Sequence, residues 1–237
     1  MVMAGRMVIP TGHPMGIRTE TMRAEADLLT LTQWLSPAFP VSSYAYSHGL
    51  EAAISAGSVH DGASVADWIA TVIEAGSGRT DAIVLAAVLR DAADPGALSE
   101  MARALASSAE RWEETRAQGA AFAATRRAMG ADAADRPYPV AVGEAARGLS
   151  LAHGIVVSLY LQAFAGTLVS AAVRFVPLGQ AEGQRIMASL APRIEAVARA
   201  AVALAPKEVE DALGSAAFGA DLAAMEHETQ EVRLFRT

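Results

Sequence analysis

The sequence predicts an all-α protein, a single-domain irregular helical bundle of about nine to ten helices. Three observations carry this. Alanine is abundant and aromatic residues make up only 5% of the chain, which favours closely packed helices over a β-sandwich. Apolar residues recur at helical spacing, as in Leu28, Leu31 and Leu35, or Val65, Trp68, Ile69, Val72 and Ile73, which places them on one helix face. Glycine and proline then punctuate these runs at intervals of one helix. At 237 residues and 52% hydrophobic content, the chain can bury a sizeable core.

The formal charge is −7. A nucleic-acid surface wants a basic face, so DNA and RNA are not expected as partners. Arginine carries nearly all the positive charge, and Lys207 is the one lysine. The absence of cysteine excludes disulfides, thiolate metal sites and a cysteine nucleophile, and it fits a cytoplasmic protein. Residues 1–24 hold five methionines and no apolar run long enough for a signal peptide. They read as a disordered or mis-started leader, with Met22 as the alternative start.

The central stretch is Leu28 to Glu51. Leu28, Leu31 and Leu35 form a short apolar stripe, and Pro37 should end that helix at Ser36. Pro40 fixes a second angle. Ser42 or Ser43 can cap a new helix from about Tyr44 to Ala56, stopped by Gly57. Ser64 with Asp67 reads as a capping box opening the next helix, and Gly76-Ser77-Gly78 breaks it. Another helix follows from Asp81 to Arg90, then a turn at Asp94-Pro95-Gly96. A long helix or helix pair spans Leu98 to Met129. It carries Met101, Leu105, Trp112 and Phe122 inward and Arg103, Glu110, Arg111, Glu113, Glu114 and Arg116 on a solvated face. Gly130 to Pro139 is the weakest stretch in structure.

Residues 148–173 carry no charge except on His153 when it is protonated. The run is long enough to cross a membrane; a buried core helix is the alternative, and the amphipathic character of the other helices favours it. Ser158, Gln162, Gly166 and Ser170 form a stripe of polar and small residues where another helix can approach closely. Pro177 ends this helix at Val176. Pro192 suits the first turn of a new helix running to about Leu204. Pro206 starts a shorter one, stopped by Gly214. A last helix is capped by Asp221, with Leu222, Met225 and Thr229 on one face. The chain then finishes Val232-Arg233-Leu234-Phe235-Arg236-Thr237.

Three ordered segments carry a family resemblance. The first is Ser36-Pro37-Ala38-Phe39-Pro40-Val41 with Tyr44-Ala45-Tyr46-Ser47-His48-Gly49-Leu50-Glu51. The second is Ala171-Ala172-Val173-Arg174 with Pro177-Leu178-Gly179-Gln180 and Gly183-Gln184. The third runs from Asp221 through Met225, His227 and Glu228 to Arg233-Leu234-Phe235. Together they resemble the urease accessory protein UreF family. Ser42 stands where that family usually has Gly. A positive φ there would strain Ser; a simple cap would not.

The resemblance implies a cytoplasmic, non-enzymatic chaperone without a cofactor. It would bridge a UreD/UreH-type scaffold and the GTPase UreG so that nickel enters apo-urease on GTP hydrolysis, and it would be a homodimer. It also implies partner-binding residues in the first and third segments: Tyr44, Ser47, His48, Glu51, His227, Glu228, Arg233, Leu234, Phe235 and Arg236. Tyr46 is expected inward and Tyr44 at a surface. The domain reading is a leader over 1–24, a helical domain over 25–220 and a partner-binding tail over 221–237. The tail is expected to be loosely held in the isolated protein and ordered in the complex. The alternative is a helical membrane-associated or small-molecule-processing protein unrelated to urease.

The residues show no catalytic constellation. A P-loop needs a lysine at the phosphates, and Gly76-Ser77-Gly78-Arg79-Thr80 has none. The five histidines, His13, His48, His60, His153 and His227, are not spaced to share a helix face. His227 and Glu231 stand four apart, so two metal ligands could share a face, but a third would have to come from elsewhere. Glu113 and Glu114 are adjacent and point apart, so they form no acid–base dyad.

Overall fold

A computed structural model describes residues 15–236, with side chains from residue 21 onward. In chain order the helices are α1 (Met15–Trp34), α2 (Leu50–Ser55), α3 (Gly62–Ala75), α4 (Ser77–Leu89), α5 (Pro95–Ala104), α6 (Ala109–Ala128), α7 (Tyr138–Ala146), α8 (His153–Phe175), α9 (Gln180–Ala203), α10 (Val209–Ala212, a single turn) and α11 (Phe218–His227). Short 3-10 turns occupy Ser43–Ala45 and Pro206–Glu208. Among the described residues there is no strand. The all-α bundle predicted from the sequence is the fold observed. The leader expected over 1–24 falls outside the described residues as far as residue 14, and residues 15–24 belong to α1.

The bundle is built around α4. Ten of its 13 residues are buried, which is the signature of a helix apolar on every side. It packs on α3, α5, α7, α8, α9 and α10. The helix long enough and apolar enough to cross a membrane is α8, and about half of it is buried within the chain. Val156, Val157, Leu161, Leu168 and Ala172 face inward. α9 also approaches beside the predicted stripe: Gly183 of α9 rests against Val169 and Val173, while Gln162 and Ser170 are exposed.

Several boundaries follow the predicted signals. Val176 is extended ahead of Pro177 and ends α8. Gly57 takes φ +76° after α2. Gly76 separates α3 from α4. Pro95 sits in the first turn of α5, under a cap from Asp94. Residues 131–137 are irregular and cross α6 at Gly119, where a Cβ would run into the Arg136 carbonyl oxygen.

Other boundaries differ. The cap of α3 is Asp61, whose side chain accepts from Ser64 N–H while Ser64 Oγ accepts from Asp61 N–H; Ser64 is the partner rather than the cap. The helix expected from Asp81 already starts at Ser77. Pro192 lies inside α9 and starts nothing. Ile186, Leu190, Ile194, Ala198 and Ala201 stay in phase on the buried face across it, so packing outweighs the lost hydrogen bond. The last helix begins at Phe218, and Asp221, in its first turn, accepts from Ser215 Oγ at 2.5 Å.

The largest difference is at the elbow. No helix runs from Tyr44 to Ala56. The chain makes one 3-10 turn, goes extended at Tyr46 (ψ 139°), and α2 starts only at Leu50. Ser42 (φ 58°), His48 (φ 53°) and Gly49 (φ 74°) are all left-handed, and three such residues in eight break helical continuity. Ser42 makes no side-chain cap bond, so it sits where glycine would be relaxed.

Candidate functional site

The elbow, the start of α6 and the C-terminal tail meet in one place. They form two adjoining polar clusters, both joined to α6.

The first cluster holds the tail. Glu51, in the first turn of α2, is buried. Its carboxylate accepts from Leu234 N–H and Phe235 N–H, each at 2.9 Å, and lies 3.1 Å from His227 Nε2. Burial alone would raise the Glu51 carboxyl; the two tail N–H groups and His227 outweigh it, and the result lies below the usual carboxylate range. His227 has no exposed surface, and its Nδ1 lies 2.7 Å from Glu110 of α6. Glu110 also binds the Arg233 guanidinium, and its own N–H donates to Glu228 at 3.1 Å. Phe235 is 7% exposed and stacks on Phe175 at 5.1 Å, with the Arg174 guanidinium over its ring. Arg236 N–H donates to the Ala45 carbonyl at 2.7 Å. The tail therefore lies on its own domain.

The second cluster lies under the elbow. His48 Nε2 is 3.0 Å from Glu114. Arg111 lies between Glu114 and Asp81, at 3.1 and 2.8 Å. Asp81 also accepts from the Tyr160 hydroxyl at 2.8 Å, and Glu114 from Gln118 at 2.9 Å. All of these residues are buried, so each charge depends on its partner. Burial pushes Asp81 up despite Arg111 and Tyr160. Burial would raise Glu114 too, but His48 and Arg111 outweigh it and hold it low. The cluster floors a groove of about 650 Å³ rimmed by Pro37, Tyr44, Gln162, Ser170 and Gln184.

The predicted site residues thus divide. Ser47, His48, Glu51, His227 and Phe235 are buried in the chain's own core, while Tyr44, Glu228, Arg233, Leu234 and Arg236 are exposed. Tyr46 is inward at 3% exposure and Tyr44 is outward at 62%. Arg111 and Glu114 are not on a solvated face as predicted; both are buried, whereas their neighbours Glu113 and Arg116 pair in solvent. The His227–Glu231 pairing does not form, because α11 ends at His227. Among the described residues no group of three or more histidine, aspartate or glutamate side chains is placed to hold a metal ion.

The sequence reading missed Asp81, Glu110, Arg111, Glu114 and Tyr160 as site members. It placed Leu222 and Met225 on one face of the last helix, with Thr229, but left out Phe218 and did not read that face as outward. Phe218, Leu222 and Met225 are 72%, 59% and 48% exposed. The inward face holds only Ala220, Ala223, Ala224 and His227, packed on α2. Spacing of four and three residues puts the large side chains on one stripe, and that spacing was the available signal.

Comparison with known proteins fits this architecture. Residues 59–191 match the family model UreF. The chain is 61% identical to the urease accessory protein UreF of Jannaschia sp. (strain CCS1), over 89% of this chain and 94% of that one. It is 62% identical to the urease accessory protein UreF of Cereibacter sphaeroides (strain ATCC 17023), over 90% and 99%. It is 45% identical to that of Paracoccus denitrificans (strain Pd 1222), over 92% and 99%. With a family model covering more than half its length and relatives above 60% identity across nearly all of it, the chain belongs to the UreF family of urease accessory proteins.

Proposed function

We propose that the protein is a cytoplasmic, non-enzymatic adaptor in urease maturation. It bridges a UreD/UreH-type scaffold and the GTPase UreG so that nickel can enter apo-urease on GTP hydrolysis. Family membership supports the urease role. The observation that carries the adaptor reading is the inverted α11, whose small residues face the core and whose Phe218, Leu222 and Met225 face solvent. A stripe of large exposed apolar residues on one helix suits a protein partner. The tail adds Val232 and Leu234, at 84% and 76% exposure, while Phe235 is buried as an anchor. We assign this face to the scaffold. The exposed Tyr44 and the groove beneath it form a second surface, facing UreG or a second copy of the chain in a homodimer.

The test is capture of the scaffold by purified protein. Leu222→Asp with Met225→Asp should keep the helical circular dichroism spectrum and abolish capture, and it should abolish urease activation in cells supplied with nickel. Full capture by the double variant would refute the assignment. The purified protein alone should neither hydrolyse GTP nor require detergent.

A further inference from the structure

His227, at the end of α11, touches both α2 and α6, and it does so with both ring nitrogens. Nε2 faces Glu51 at 3.1 Å and Nδ1 faces Glu110 at 2.7 Å. A carboxylate accepts, so each nitrogen must carry a hydrogen, which a neutral imidazole cannot supply at both. The missing proton has no other place in the cluster. Glu51 is held ionised by Leu234 N–H and Phe235 N–H. Glu110 is already engaged by the Arg233 guanidinium. Other groups on the elements around the ring are Glu228, which accepts from the Glu110 backbone, and Arg174 of α8, over Phe235. Counted by charge, Glu51 and Glu110 balance His227 in its cationic form and Arg233. Removing the proton leaves a buried ring nitrogen with its lone pair against a carboxylate, which is repulsive and unhydrated.

We propose that His227 is a proton-operated lock on the C-terminal tail: as a cation it draws Glu51 and Glu110 together and seats Leu234 and Phe235, and as a neutral ring it releases them. The seated state then holds one proton more than the open state. Linkage makes the seat strongest on the acid side of the histidine range and weaker as pH rises through it. At still lower pH the seat fails again, because Glu51 takes a proton and loses its acceptor role. The lock stands on this geometry alone. Its bearing on assembly rests on the adaptor reading, since the exposed Val232 and Leu234 are presented in fixed register only while the tail is seated.

The test uses the full isolated chain, labelled with nitrogen-15, without any partner. Imidazole nitrogen shifts should show His227 protonated at both nitrogens at pH 6. The protection of the Leu234 and Phe235 amides, corrected for intrinsic exchange, should fall by about tenfold or more between pH 6 and pH 8.5. Amides of α4 should show no such step. His227→Gln keeps a donor and an acceptor without titrating, and it should flatten the pH dependence. A neutral His227 ring at pH 6 would overturn the lock. So would protection of the two amides that stays flat from pH 6 to pH 8.5 in the wild-type chain, a measurement that needs no variant to fold. Scaffold capture at pH 6 and pH 8.5 is read separately: loss of capture at both values, with the amide step intact, would count against the adaptor reading and leave the lock standing.

Discussion

Gly49 and Ala224 touch through their backbones: a Cβ on Gly49 would lie 2.6 Å from the Ala224 nitrogen and 2.9 Å from the Ala223 carbonyl carbon. Gly49 also has φ +74°. Two independent constraints therefore fall on one residue, the left-handed start of α2 and the close approach of α11. Gly49→Ala is expected to cost about 1–3 kcal/mol from backbone strain alone, plus displacement of α11. Thermal unfolding would read the loss, and faster amide exchange in α11 would show that the helix has moved. An unchanged melting temperature would mean that α11 does not rest on the elbow.

Ser42 gives the opposite expectation. It is left-handed at φ 58°, ψ 30°, and its side chain makes no cap bond. A left-handed non-glycine residue costs about 1–2 kcal/mol, partly offset by the extra freedom glycine has when unfolded. Ser42→Gly should therefore stabilise the protein by about 0.5–1 kcal/mol, visible as a higher denaturant midpoint with the same slope. A lower midpoint would show that the hydroxyl contributes more than the backbone strain costs.

The buried charges under the elbow predict a steep loss. Arg111 holds both Asp81 and Glu114, so Arg111→Met leaves two buried carboxylates without their cation. A change of this type costs about 3–5 kcal/mol. Acid sensitivity follows from the carboxyls with a definite sign. Glu51 and Glu114 are depressed in the fold, so the stability they add is present above the unfolded carboxyl value of about 4.3 and is lost as pH falls through their folded values. Asp81 is raised, so its contribution has the opposite sign and is lost as pH rises. Glu51→Gln with Glu114→Gln should flatten the acid limb of the stability curve measured by urea unfolding. A wild-type acid limb that keeps its full slope in the double variant would remove these two groups from the account.

The parts of the fold legible in the sequence were those set by local chemistry. Pro177, Gly57 and Gly76 act on their own residue or an immediate neighbour, and each boundary fell where expected. The elbow was misread for a local reason, the left-handed backbone at Ser42, His48 and Gly49; other misreadings come from distance along the chain. Arg111 and Glu114 look like a local ion pair on a wet helix; their burial is decided by Asp81, 30 residues away, and by His48. Pro192 looks like a helix start because the in-phase apolar residues of α9 on either side meet their partners only in the fold. The seat of the tail joins residues 183 and 184 positions apart, which no window of sequence contains. Recognising the family fixed the general role, yet it placed ten residues in one partner-binding group where the fold separates anchors from exposed side chains.

That separation changes which experiment isolates the docking face. Removing residues 226–237 would take away His227 and Phe235, both buried, and leave Glu51 and Glu110 without their partners. Loss of scaffold binding by the truncated chain would therefore mix lost contacts with damaged structure. Single substitutions separate them. Phe235→Ala empties the site against Phe175 and should unseat the tail, reading as lost protection of the Leu234 amide together with weaker scaffold capture. Leu234→Ala removes an exposed side chain while its N–H still reaches Glu51, so it should leave amide protection and melting temperature unchanged. If Leu234 meets the scaffold, the same variant should weaken capture by about 1 kcal/mol or more, roughly fivefold in Kd. Capture unaffected by Leu234→Ala but lost with Phe235→Ala would show that the tail acts only by its seating and that contact with the scaffold lies elsewhere, on Phe218, Leu222 and Met225.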